Sequence, residues 1–280
     1  MSCRNALWNR LRLFATVLVA VAGVATATLS GTKMDRGPVQ AVNKEVPGNV
    51  WLIFIDDLHL DFPATGRHRE LFKTVTTRLV REGDLVGVVS TGPSSIAIDL
   101  TSDAGRFNQA LKKISGAALK PSEIAAVPDQ DTSEVRYRAD VSFRTAYHVL
   151  KMLALVSNPR KAFIYISSGY YIDMWPASLR TNATNPFSLG GTAISLDRLR
   201  DEVTELTAQA KRTNVTIYGI DPRGLSGPPV ADQKMDDAAW RKYWTTTRNS
   251  LQVIAEQTGG FVIDDDLESG LKRIVAAKGR

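Results

Sequence analysis

The chain has 280 residues, 44% hydrophobic and 23% charged, with 20 Gly, 12 Pro, one Cys and a formal charge of +6. These proportions exclude a disordered chain, a collagen and a coiled coil, and the length allows one or two domains with a sizeable core. The lone Cys3 permits neither a disulfide framework nor a Cys-based zinc site, so any metal ligands are oxygen or histidine.

Residues 1–12 carry Arg4, Arg10 and Arg12 and no acid, Leu13 to Val24 form a short apolar run, and Ala25-Thr26-Ala27 follows. This is the order of a secretory signal peptide, with cleavage expected after Ala27. The run is shorter than the ~20 residues a membrane span requires, and no second such run follows. No span is therefore expected after cleavage, and the expected location is periplasmic or secreted; retention as an N-terminal membrane anchor is the alternative. Cys3 precedes the apolar run, which argues against a lipoprotein. Cleavage would bring the charge from +6 to +3. The remaining basic residues are interleaved with acids, so no nucleic-acid partner is expected.

Residues 28–48 lack periodicity and read as a linker before one folded domain over 49–280. Val50 to Ile55 (VWLIFI) is a continuous apolar run ending in Asp56-Asp57, the pattern of a strand buried on both faces. Leu71, Phe72, Val75, Leu79 and Val80 recur at helical spacing, Leu85 to Ser90 is a second buried strand, and Ser94 to Leu100 alternates as an edge strand. Ser102-Asp103 can cap a helix carrying Phe107, Ala110, Leu111 and Ile114. Ser115 to Asp140 is a polar excursion, and a helix is expected from about Ser142 to Val156. Strands at Ala162–Ile166, Val215–Ile220 and Phe261–Ile263 alternate with helices at Leu196–Ala210, Ala238–Thr258 and Leu267–Ala277.

Alternating strands and helices predict an α/β fold, a doubly wound, mostly parallel sheet flanked by helices. Ligands of such sheets bind outside the carboxyl ends of the strands. The strand ends here offer Asp56-Asp57, Thr91, Ser167-Ser168, Asp221 and Asp264-Asp265-Asp266, all expected to face one crevice. No G-x-G-x-x-G follows the first strand and no P-loop occurs, which removes the usual phosphate cradles. The serines at 167 and 168 lack the glycine of a nucleophile elbow. What remains is Asp56-Asp57-Leu58-His59-Leu60-Asp61, three carboxylates and an imidazole within six positions. Carboxylates suit Mg²⁺ or Ca²⁺, and His with Asp suits a softer metal. Either aspartate could instead cap backbone amides after the strand.

Phe54 to Leu60, Gly83 to Ser90, Arg160 to Gly169, Ile217 to Gly224 and Glu256 to Gly260, in this order, resemble the von Willebrand factor type A domain, and in particular its bacterial VWFA-related (acidobacterial-type) relatives. The resemblance implies a divalent cation at the first strand end, held by D-x-S-x-S, a later Thr and a later Asp. Asp56 matches the first Asp; the serine positions fall on Leu58 and Leu60, the later Asp on Ser168, and no Thr stands between Arg138 and Ser142. Asp57, His59, Asp140 and Ser168 are the candidates for a rebuilt site with Asp56, taking Mg²⁺ or Ca²⁺.

The stretch after the fourth strand carries Tyr170, Tyr171, Trp175 and Phe187, aromatics of the kind enriched at protein interfaces. The expected function is an exported, non-enzymatic protein-binding module with a degenerate metal site. The alternative is a metal-dependent hydrolase in which Asp57, His59 and Asp61 hold a cation that activates water.

Overall fold

The computed structural model describes residues 48–125, 133–158, 160–172, 192–225, 232 and 234–279. β1 (Val50–Ile55) lies at the centre of a six-stranded sheet because all six of its residues are apolar and buried, which only a strand covered on both faces tolerates. It pairs in parallel with β2 (Leu85–Ser90) on one side and β4 (Lys161–Ile166) on the other. The strand order is β3-β2-β1-β4-β5-β6, with β3 (Ala97–Thr101) antiparallel at one edge, then β5 (Val215–Ile220) and the short β6 (Val262–Ile263) beyond β4. Chain order thus reverses between β1 and β4. The doubly wound, mostly parallel architecture expected from the sequence is the one observed.

Alternation along β1 divides the core in two. Leu52 and Phe54 pack with α4 (Ser133–Leu153), α5 (Thr192–Arg212) and α6 (Asp237–Glu256) through Phe143, Leu150, Leu206 and Leu251. Trp51, Ile53 and Ile55 face α1 (Thr65–Leu79), α2 (Ala104–Lys113) and α7 (Leu267–Lys278) through Phe72, Val75, Phe107 and Ile274. A one-residue slip of β1 would exchange these two sets, so its register is fixed by packing. Asp103 caps α2 as its sequence suggests, accepting from Gly105 N at 2.8 Å, a contact worth about 1 kcal/mol.

The amino end of the sheet is closed by Asp84, which is 3% exposed. Its carboxylate accepts from Asn49 N at 2.7 Å, Trp51 Nε1 at 2.9 Å and Arg81 N at 3.0 Å, tying the start of β1 to the turn before β2. Nearby, buried Lys161 Nζ donates to Leu153 O and Val156 O, both at 3.2 Å, and satisfies carbonyls at the end of α4.

α4 departs from expectation. It begins at Ser133, not near Ser142, and a short helix α3 (Pro121–Ala125) lies within what reads as an excursion. The first turns of α4, SEVRYR, run ahead of the apolar face that starts at Ala139 and Phe143, so they carry no hydrophobic period.

Candidate functional site

Where β1 ends, a 3₁₀ turn over Asp57–His59 carries the chain off the sheet. Asp56 stays beneath it, fully buried, and five groups from four separate parts of the chain point at its carboxylate. Oδ1 accepts from Ser142 Oγ on α4 at 2.7 Å, from Thr91 Oγ1 after β2 at 3.0 Å, and from His59 Nδ1 at 3.0 Å. Oδ2 accepts from Tyr170 Oη at 2.6 Å and from Ser167 Oγ, at the exit of β4, at 2.9 Å. Because Tyr170 spends its only proton on Asp56, the hydrogen bond between the Tyr165 and Tyr170 hydroxyls has Tyr165 as donor. Burial and the Asp56 charge push both phenols well above their ordinary range.

Asp57 faces away from this cluster. Its Oδ1 accepts from Gly92 N at 2.6 Å and Thr91 Oγ1 at 2.9 Å, and its Oδ2 from Ser94 N at 2.7 Å, so it pins the loop after β2. Thr91 has one proton for two carboxylates. Burial raises the Asp57 carboxyl above its ordinary value against the Ser94 and Thr91 hydrogen bonds. Burial would raise Asp56 too, but the adjacent His59 and the donors from Tyr170 and Ser142 outweigh it and hold Asp56 low.

Above this cluster, at the point where strand order reverses, lies a cleft that encloses, with its open mouth, about 570 Å³. Its lining is predominantly apolar, including Leu58, Leu119, Ile124, Ile172 and Leu199, with His59 and Tyr171 among the groups facing it. Two devices shape it. Gly169 has φ +74°, and a Cβ there would collide with Thr247 O of α6, so only glycine brings Tyr170 round to Asp56. Arg138 of α4 donates Nε to Glu134 at 2.7 Å and Nη1 to Leu58 O and Ala117 O, bracing the 3₁₀ turn against the loop after α2. Ala117 N donates to Asp57 O at 2.8 Å and Ala118 N to Leu60 O at 2.9 Å in the same seam.

The sequence candidates divide accordingly. Asp56 and His59, both candidate ligands, come together and bond to each other at 3.0 Å. Ser168 does not join them: Ser167, one residue earlier, is the serine that reaches Asp56. Asp140 is also displaced from the cluster. It pairs with Arg144 at 2.8 Å and Arg198 at 3.5 Å, beside Glu202. Asp140 and Ser142 sit two apart on one helix and so point to different sides. Asp221 is held by Arg223 at 2.6 Å, Asp264 pairs with Arg248, and Asp266 caps α7, so the strand-end acids do not share one crevice. Asp57, His59 and Asp61 do not converge either, since Asp57 binds the loop after β2, His59 binds Asp56, and exposed Asp61 interacts with Arg67. Tyr170, expected as a partner-binding aromatic, is 1% exposed and spends its hydroxyl on Asp56. Tyr171 is half-buried, packs 5.6 Å from the Tyr243 ring and lines the cleft. Trp175 and Phe187 lie outside the described residues. Ser142, not a candidate from the sequence, supplies a hydroxyl at the end of the Arg138–Ser142 stretch that holds no Thr.

Leu58 and Leu60, hydrocarbon in place of hydroxyl, do not fit the cation set that the resemblance implies, and Leu60 is fully buried in the core. Among the described residues, no three His, Cys, Asp or Glu side chains converge on a common point where a metal ion could sit.

No family model matches the chain, and no curated protein matches it. Among solved structures, it is similar to the vWF domain of the type V pili tip protein Mfa5 from Porphyromonas gingivalis. The likeness covers 84% of this chain and 95% of that one, at 11% identity and a TM-score of 0.43. Among the described residues, no helix is long and apolar enough to cross a membrane.

Proposed function

We propose that the chain is an exported interaction module that takes an apolar side chain of a partner protein in the cleft above His59, with a degenerate metal site beneath. The observation that carries this reading is an open, apolar cleft at the switch point of the sheet, over a carboxylate whose lone pairs are already engaged. Anchor pockets of protein interfaces have this composition, an apolar floor with a few fixed polar groups and an aromatic at the rim. Nothing in the cluster supplies a nucleophile together with a base: each hydroxyl around Asp56 donates to a carboxylate, and His59 Nδ1 is engaged there too. Support for export is the basic, apolar, A-x-A order of residues 1–27.

The test uses the chain from Thr28 onward as bait for exported proteins of the native organism, followed by affinity measurement with the captured partner. Tyr171→Ala and Leu119→Asp, both at half-buried cleft positions, are expected to weaken binding about 10- to 30-fold at unchanged thermal midpoint. A partner that binds both variants as tightly as the wild type would place the interface elsewhere and sink this reading.

A further inference from the structure

A divalent cation at a strand end is held by carboxylate and hydroxyl oxygens whose lone pairs point at the ion. Here three hydroxyls, from Thr91, Ser142 and Ser167, converge from three elements, but they converge on the Asp56 carboxylate itself. Two more donors fill the remaining approaches, Tyr170 Oη at 2.6 Å and His59 Nδ1 at 3.0 Å. A carboxylate offers about four lone-pair sites, and five donors address this one. His59 packs edge-on to Tyr170 with ring centroids 4.6 Å apart, so each holds the other in place. A cation could reach Asp56 only by displacing one of these groups into the core.

We infer that the His59 imidazole and the Tyr170 hydroxyl do the work a cation would do at this site, so that it is a metal-independent lock. The lock joins the ends of β1, β2 and β4 to α4. It also engages Nδ1 of His59, leaving Nε2 as the ring nitrogen available to a ligand in the cleft. This deepens the degenerate-site part of the proposed function and does not depend on which partner binds.

The test is thermal unfolding of the chain from Thr28 onward in chelator and in millimolar Mg²⁺, Ca²⁺, Mn²⁺ or Zn²⁺, for wild type, His59→Ala, Tyr170→Phe and Asp56→Asn. A ligand of the folded state must raise the midpoint by mass action. The expected result is a wild-type midpoint unchanged by any of these additions, with His59→Ala and Tyr170→Phe lower by roughly 2–8 °C in every one of them. A rise with any cation that disappears in Asp56→Asn would overturn the inference, and so would a His59→Ala midpoint equal to wild type. Should a variant not fold, Mn²⁺ paramagnetic resonance on the wild type decides alone: no bound ion is expected, and a stoichiometric bound ion overturns the inference. Partner binding that vanishes in chelator would sink the lock and leave the cleft reading standing. Partner binding indifferent to the Tyr171 and Leu119 variants would do the reverse.

Discussion

The two ends of the sheet each bury one carboxylate under several donors, and they do so with different chemistry. At the amino end, Asp84 accepts two backbone N–H groups and one indole N–H, all from within a few residues of the strand starts. At the carboxyl end, Asp56 accepts four hydroxyls and an imidazole, drawn from elements up to 114 residues away. Backbone and indole N–H groups can only donate, so the Asp84 site has a single hydrogen-bonding solution. Hydroxyls can donate or accept, so the Asp56 site has several. A buried carboxylate is thus no functional signal by itself. What separates the two is a set of reversible side-chain donors beneath an open cleft.

Substitutions can break this comparison. Asp56→Ala leaves three or more buried donors without an acceptor and is expected to cost the most, about 4 kcal/mol in denaturant unfolding. Asp84→Asn sets an amide against fixed N–H donors and is expected to cost about 3 kcal/mol, while Asp56→Asn, where Ser167 and Tyr170 can turn to accept, should cost about 1 kcal/mol. Equal costs for the two Asp→Asn variants would erase the distinction.

A second effect at the carboxyl end is read with pH. His68, 5% exposed near the start of α1, has its pKa lowered by burial, and further by Arg67, from 6.5 to about 4. The unfolded chain takes up this proton first. Stability from His68 is therefore complete above about pH 6.5 and is lost as pH falls toward 4, by no more than about 3 kcal/mol. His68→Leu should flatten that limb of the stability profile; an unchanged slope would assign it to other groups.

The smallest effect is expected between α4 and α5. Burial and the neighbouring Asp140 raise Glu202 from 4.5 to about 7, against Arg144 and Arg198. The folded state holds this proton where the unfolded chain has lost it, so stability grows as pH falls from about 7 to 4.5. Glu202→Gln should then be slightly more stable than wild type near pH 8, by less than about 1 kcal/mol, with no advantage near pH 5. An advantage that persists at pH 5 would rule out this proton as its source.

The fold was legible because β1, β2, β4 and β5 each announce burial on both faces, and helical spacing separates them. Asp56 was legible as a carboxylate at a strand end. Its donors were not. Ser142 sits 86 residues downstream and Tyr170 114, and a hydroxyl carries no period or spacing that marks what it will face. Tyr170 drew notice as an aromatic, and only the turn at Gly169 shows that its ring goes inward. Ser167 and Ser168 are indistinguishable by type, and backbone direction at the β4 exit decides between them. The polar start of α4 hid a helix for a related reason, since its side chains serve ion pairs and the Arg138 brace more than the core.

β1 occupies the middle of the sheet yet is made first, and its partner Lys161–Ile166 emerges from the ribosome long after Leu85–Ser90. Until then a hydrophobic strand has one edge of unpaired amides and carbonyls, the kind of surface that recruits other chains. The final tether comes later still: Arg78 of α1 bonds Glu268, 190 residues on, at 2.9 Å, and Lys278 Nζ caps Lys161 O. The strands themselves can add one at a time, since each of β2 to β6 pairs with a strand made before it. The covering layer is what comes last: the face of β1 that carries Trp51, Ile53 and Ile55 lacks Leu271 and Ile274 until α7, at the end of the chain, has been made.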